Sequence, residues 1–315
     1  MEKPVIGISS CLLGNNVRYD GGHKLDRFLK DVLGEFVEYI PVCPESECGL
    51  SIPREAMRLV DVDGDIKLLT QKTGKDITPQ MKKWMEPVLE SLAAKNLCGF
   101  IFKAKSPSSG MERVKVYNSK GMSEKTGVGI FANAFMQKFP CLPVEEEGRL
   151  NDDILRENFI ERIFVYQRWN ELLGRRKTVG ELVKFHTVHK YLIMSHSDTG
   201  LKELGKLVAE AKKYPINEVY DNYLTLLSKY LKLTATRKKN TNVLQHIMGY
   251  FKKQLESDEK AELNEVITKY HDGLVPQIVP ITLLNHYIRK FKPEYLADQV
   301  YLNPHPLELK LRNHA

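Results

Sequence analysis

The rhythm of hydrophobic and polar positions along this chain changes once, near residue 150. Before that point, short apolar runs at Val5–Ser9, residues 39–42 and residues 99–103 read as strands. Between the last two, Thr78-Pro79 opens a segment in which Met81, Trp84, Met85, Val88, Leu89 and Leu92 keep the spacing of one buried helix face. Threonine as N-cap with proline at the first helical position predicts where that helix begins. Strands separated by helix-length segments predict an α/β domain with a mostly parallel sheet over residues 1–145.

Pro140-Cys141-Leu142-Pro143 then interrupts regular structure, and the acidic run Glu145-Glu146-Glu147 reads as a domain boundary, either a linker or a charged contact. Beyond it the apolar positions follow helical spacing. Ile154, Phe159, Ile163 and Phe164 start one face; Leu201, Leu204, Leu207 and Val208 make another. Tyr223, Leu224, Leu226, Leu227 and Tyr230 make a third, and residues 244–255 and 263–270 continue the series. Glycine is scarce and no strand alternation persists, so residues 150–315 are expected to form an all-α domain.

A chain of 315 residues can bury two cores of ordinary size. Hydrophobic content of 42% and charged content of 28% are those of a soluble globular protein. No apolar run approaches the roughly 20 residues that span a bilayer. The first residues lack the pattern of a signal peptide, so the expectation is a cytoplasmic protein without a membrane partner. Charge is uneven: residues 1–150 carry 21 basic and 20 acidic side chains, residues 151–315 carry 26 and 20. The +6 of the second half is compatible with a nucleic-acid footprint and with an ordinary solvated surface.

The chemistry collects after the strands. The first runs into Ser9-Ser10-Cys11-Leu12-Leu13-Gly14, the second into Cys43-Pro44-Glu45-Ser46-Glu47-Cys48-Gly49, the third into Lys103-Ala104-Lys105-Ser106-Pro107-Ser108-Ser109-Gly110. Ligands of open parallel sheets bind beyond the carboxyl ends of the strands, where these loops would meet. Cysteines clustered in a reducing compartment point to metal binding or catalysis rather than disulfides. A thiol trio leaves one coordination position open, which suits a catalytic zinc or an iron–sulfur cluster. Glu45, two residues from Cys43, is placed for general acid/base work. Cys98 lies in an apolar strand and reads as a small buried hydrophobe, and Cys141 has no evident partner. Thr126-Gly127-Val128-Gly129 does not complete a phosphate loop. His186 and His189 read as a solvated or core-edge pair. Arg175-Arg176-Lys177, Lys212-Lys213, Arg237-Lys238-Lys239 and Lys252-Lys253, with Tyr214, Tyr230 and Tyr250 near some of them, are basic groups of the kind that can follow a phosphate backbone.

At these loops the sequence resembles the thiouracil desulfurase family. The likeness rests on Ser9 to Gly14 with Arg18-Tyr19-Asp20-Gly21, on Cys43-Pro44-Glu45 running to Gly49-Leu50 and Pro53-Arg54, and on Lys105-Ser106-Pro107-Ser108. The remainder, from Leu150-Asn151-Asp152 through Arg156-Glu157-Asn158-Phe159 and Arg168-Trp169, resembles the YbgA-like helical domain. The combination is similar to tRNA 4-thiouridine desulfidases. The resemblance implies a 4Fe-4S cluster held by three cysteines, its fourth iron open to the substrate sulfur, in a non-redox release of sulfide. By motif, Cys11 and Cys43 are cluster ligands, Glu45 the proton-transfer residue and Ser106 a substrate-side hydroxyl. Single-domain members carry a cysteine where this chain has Ser109 and a small residue where it has Cys48. Cys48 is therefore expected as the third ligand, and tRNA containing 4-thiouridine as the partner, with no DNA. The alternatives are a desulfidase of free thiouracil or thiouridine monophosphate, a non-catalytic iron–sulfur RNA-binding or redox-sensing protein, and a zinc-dependent hydrolase.

Overall fold

The computed structural model describes residues 2–314 and divides between Asp152 and Asp153 into two units. The first starts with strand β1 (Val5–Ser9), followed by β2 (Glu38–Val42), the one-turn helix α1 (Pro44–Glu47) and the hairpin of β3 (Met57–Val62) and β4 (Asp65–Thr70). Helix α2 (Thr78–Ala93), β5 (Gly99–Phe102), a second hairpin of β6 (Val114–Tyr117) and β7 (Ser123–Gly127), α3 (Ile130–Lys138) and β8 (Val144–Glu146) complete it.

One sheet has the order β2-β1-β5-β8, with every neighbouring pair parallel. All its carboxyl ends therefore share one rim, as the strand pattern requires. Its core is aromatic: Phe100 lies 4.4 Å from Phe102 and 4.6 Å from Phe135, ring centre to ring centre, and Phe131 packs beside them. Gly7 on β1 makes room for that cluster, since a Cβ there would stand 2.2 Å from the Phe100 ring. A second sheet, β4-β3-β6-β7, is mixed. Here Asp63 and Gly64 both take positive φ (55° and 91°), the left-handed pair that closes a tight two-residue hairpin.

Two local expectations are corrected. Thr78 is not an N-cap: helix α2 starts on it, and its hydroxyl accepts the Leu68 N–H of β4 at 2.8 Å. The acidic run is not a linker. Val144–Glu146 is the parallel edge strand β8, and Glu145 and Glu146 are buried. Their carboxylates are tolerated there because Glu145 accepts from Arg149 at 2.6 Å and Glu146 from the Met111 N–H at 2.6 Å.

The second unit is helical throughout its described residues, in α4 (Asp153–Leu173), α5 (Val179–His196), α6 (Asp198–Ala209), α7 (Ile216–Leu231), α8 (Arg237–Met248), α9 (Ser257–His271), α10 (Ile278–Phe291) and α11 (Glu294–Ala297). The starts of α5 and α6 are capped by side chains: Thr178 accepts from Glu181 N–H and Ser197 from Gly200 N–H. Trp169, Tyr220 and Tyr223 fill the centre, with Trp169 stacked on Tyr223 at 5.5 Å. No helix among the described residues is long and apolar enough to cross a membrane.

Buried charge ties the last residues to α4. Arg312, 5% exposed, bonds Glu157 at 3.1 Å and Glu161 at 3.3 Å, and Glu161 also pairs with His196 at 2.6 Å. Burial pushes the Glu161 carboxyl up, yet the His196 hydrogen bond and the Arg312 charge outweigh it and hold it below its ordinary value. Removing one member of such a group strands the others in a water-poor site. Arg312→Ala is expected to lower stability by about 3–5 kcal/mol, read as an earlier urea transition of the helical signal. An unchanged midpoint would show that this cluster does not hold the unit together.

Candidate functional site

Three loops meet at the carboxyl rim of the parallel sheet and enclose a cavity of about 310 Å³. Cys11, Cys43, Glu45, Arg54, Lys103, Ser106, Ser108 and Ser109 are on its wall. Cys11 sits in the 3-10 turn that follows β1. Its carbonyl accepts from Gly14 and Lys24, and Gly14 (φ 92°) has the left-handed conformation that ends the turn. Burial pushes the Cys11 thiol up to about 11, more than the nearby Lys103 charge pulls it down. Cys43 ends β2 and starts α1; its N–H donates to Glu47 at 2.6 Å, leaving the thiol half-buried on the cavity wall.

Cys48 takes a different place. It ends α1, its carbonyl is gripped by the Gln80 amide at 2.7 Å, and its thiol donates to the Glu45 carbonyl at 3.3 Å. It is not among the cavity-lining residues, whereas Ser109 is, at 4% exposure. Burial raises the Cys48 thiol, and Glu45 and Cys43 add to the rise. Cys43 contributes to the rise of the Cys11 thiol as well. Among the described residues no three metal-binding side chains converge on a single point. Cys11 and Cys43 on the cavity wall suit a 4Fe-4S cluster, in which each cysteine binds a different iron.

Glu45 is held on both oxygens. One accepts from Arg54 Nε at 3.0 Å and Nη2 at 2.5 Å; the other accepts from Ser108 Oγ at 2.8 Å. Arg54 also donates to the Val17 carbonyl at 2.9 Å, joining the first two loops through one guanidinium. Ser106 Oγ and Ser108 Oγ are 3.0 Å apart. Since Ser108 gives its only hydroxyl hydrogen to Glu45, Ser106 must donate to Ser108. The result is a directed chain from Ser106 to Ser108 to the carboxylate. The serine loop is clamped from behind by α3: Ile130 N–H donates to Pro107 and Phe131 N–H to Ser108. Gly129 must be small there, because a Cβ would stand 2.6 Å from the Ser108 carbonyl. The Thr126–Gly129 segment thus supports the serine loop.

Cys11, Cys43, Glu45 and Ser106 therefore meet at one cavity, and Cys48 adjoins it. Arg54, Ser108 and Lys103 were visible only as parts of motifs, and what they touch gives them their place. Elsewhere, His189 is 1% exposed and stacks on Phe185, and His186 bonds Tyr223, so this pair belongs to the core. Some basic groups are also structural: Lys239 donates to the His196 and Thr234 carbonyls, and Arg175 pairs with Glu181.

A parallel α/β unit with thiols and a clamped carboxylate at its carboxyl rim has the layout of an α/β protein that binds its ligand beyond the strand ends, and a helical unit follows it. The family is specific: residues 6–147 match the 2-thiouracil desulfurase model, and the chain belongs to that family. Residues 190–306 match a second model, a protein family of unknown function designated DUF1722. The chain is 32% identical over 158 residues to the uncharacterized protein YbbK of Bacillus subtilis (strain 168), covering 47% of this chain and 99% of YbbK. It is 28% identical over 153 residues to the uncharacterized protein YbgA of Escherichia coli (strain K12), covering 48% of this chain and 90% of YbgA. Among solved structures, the 4Fe-4S-dependent thiouracil desulfidase TudS is similar at 29% identity and a TM-score of 0.38, over 48% of this chain and 94% of that one.

Proposed function

We propose that this protein removes the C4 sulfur of 4-thiouridine in tRNA by a non-redox reaction in the cytoplasm, with a 4Fe-4S cluster held by Cys11, Cys43 and Cys48. The observation that carries this reading is the cavity in which two thiols face a carboxylate wired to two serine hydroxyls. When bound, the cluster supplies a thiophilic Lewis-acid iron with an open position for sulfur. The protein's own residues handle the proton. Water adds at C4, and its proton passes along Ser106 and Ser108 to Glu45, which Arg54 keeps in place. The carbon–sulfur bond breaks and a C4 carbonyl forms as the added hydroxyl gives up its hydrogen; that proton and the one held by Glu45 both go to the leaving sulfide. One water enters and one hydrogen sulfide leaves, with no electron transferred.

A helical unit with an excess of basic groups supports RNA over a free base as substrate. Anaerobic reconstitution followed by incubation with 4-thiouridine-containing tRNA tests the reading. Loss of thiouridine from the RNA with release of sulfide is expected. An intact cluster without such loss would overturn it, and turnover of only free thiouracil or thiouridine monophosphate would assign the smaller substrate.

A further inference from the structure

A second groove, of about 570 Å³, adjoins the cysteine cavity and shares Ala104, Lys105 and Pro107 with it. Its floor is one face of the mixed sheet. Along β6, Val114 is buried while Lys115 points to solvent, and Tyr117 follows on the same side. β3 pairs in parallel with β6, and Arg58 of β3 lays its guanidinium 5.0 Å from the centre of the Tyr117 ring. The Arg58 Nε is buried without a hydrogen-bond partner. Lys105, Arg113, Lys115 and Lys125 are exposed around this floor. Of these, Lys105, Lys115 and Lys125 have no ion-pair partner among the described residues, and Arg113 has only Glu112 at 3.9 Å.

The two acids of the groove are already engaged. Glu112 is bound by Arg149 at 3.0 Å, and buried Glu146 accepts the Met111 N–H. The unit as a whole is nearly neutral, with 21 basic and 20 acidic groups in residues 1–150, so this gathering of unpaired cations is local. It also differs from the basic clusters of the helical unit that are used in internal bonds, such as Lys239.

We infer that this groove is a phosphate track on the desulfurase unit itself, binding the RNA strand next to the nucleotide whose base enters the cysteine cavity. The inference rests on the tRNA reading above. Unpaired lysines at the edge of a sheet, with an arginine over a tyrosine, match a nucleic-acid backbone with flanking bases to stack. Lys105, common to both hollows and held at a positive φ of 62°, marks where the strand passes from groove to cavity.

The test uses the reconstituted full chain and the double variant Lys115→Glu/Lys125→Glu, which leaves the cavity wall untouched. Binding of tRNA, thiolated and unmodified, is followed by fluorescence anisotropy across a salt series. The variant is expected to weaken binding roughly tenfold or more at fixed salt and to flatten the salt slope by about two contacts. Lys115→Gln/Lys125→Gln should fall between. Dissociation constants and slopes within about twofold of wild type would overturn the groove while leaving tRNA desulfuration standing. Wild-type protein that binds no tRNA would overturn both. Polyglutamate competing as well as tRNA would reassign the groove to an acidic protein.

Discussion

Cys48→Ala is expected to abolish loading of the iron–sulfur cluster, while Ser109→Ala leaves it in place. The two residues compete for one role, and the fold gives each an argument. Ser109 already lines the cavity but offers oxygen, a hard donor that suits iron–sulfur clusters poorly. Cys48 offers sulfur at the end of α1, with its thiol donating to the Glu45 carbonyl at 3.3 Å. For Cys48 to bind metal, that weak thiol hydrogen bond is given up and the side chain turns toward the cavity, whose wall it does not line. Two thiols are too few to hold a cluster against chelation. Iron and acid-labile sulfide per chain should therefore fall by more than the roughly 10–100-fold that loss of an outer-sphere partner costs. The double variant Cys48→Ala/Ser109→Cys returns a thiol to the cavity wall and should regain iron. A Cys48→Ala protein with full iron, paired with a Ser109→Ala protein without it, would transfer the ligand role to the serine loop.

That question arises because a sequence shows which residues lie on a loop but not which way they turn. The strand-end rule was enough to bring Cys11, Cys43, Glu45 and Ser106 to one rim, because β1, β2 and β5 are apolar runs and their sheet is parallel. The helical half was legible for the same reason: long apolar faces such as that of α7 admit one reading. The mixed sheet was not. β7 (Ser123–Gly127) has no large apolar residue and four exposed positions, so hydrophobic rhythm is silent about it. In β3 and β4 the Asp63-Gly64 pair was the available signal, with charged Arg58, Asp61 and Lys67 obscuring the alternation. β8 was hidden by its glutamates, whose burial depends on partners such as Met111 and Arg149 that local pattern does not disclose. The Ser106–Ser108–Glu45–Arg54 chain is of the same kind, since it exists only once three loops are folded together.

Glu45→Gln puts that chain to the strongest test. The amide is nearly isosteric, so the cavity and the cysteines should be preserved, and cluster content is expected to match wild type. What changes is the direction of the hydrogen bonds. Arg54 gives two N–H donors to one oxygen of residue 45, so the glutamine must turn its carbonyl toward Arg54. Its NH₂ then faces Ser108, which can no longer donate to residue 45. Ser108 must instead accept from the amide and turn its hydrogen toward Ser106, reversing the chain. A proton taken from water would then have no base to receive it. General acid–base catalysis contributes typically about 10²–10⁴-fold, so kcat should fall by roughly that factor. The loss should appear in kcat more than in KM, because the missing function operates in the transition state. Ser108→Ala, which keeps the carboxylate but cuts the path, should show a smaller kcat loss of the same type. Cluster-loaded Glu45→Gln protein turning over within about threefold of wild type would remove the carboxylate from the proton path, leaving Glu45 only the task of anchoring Arg54 between the loops.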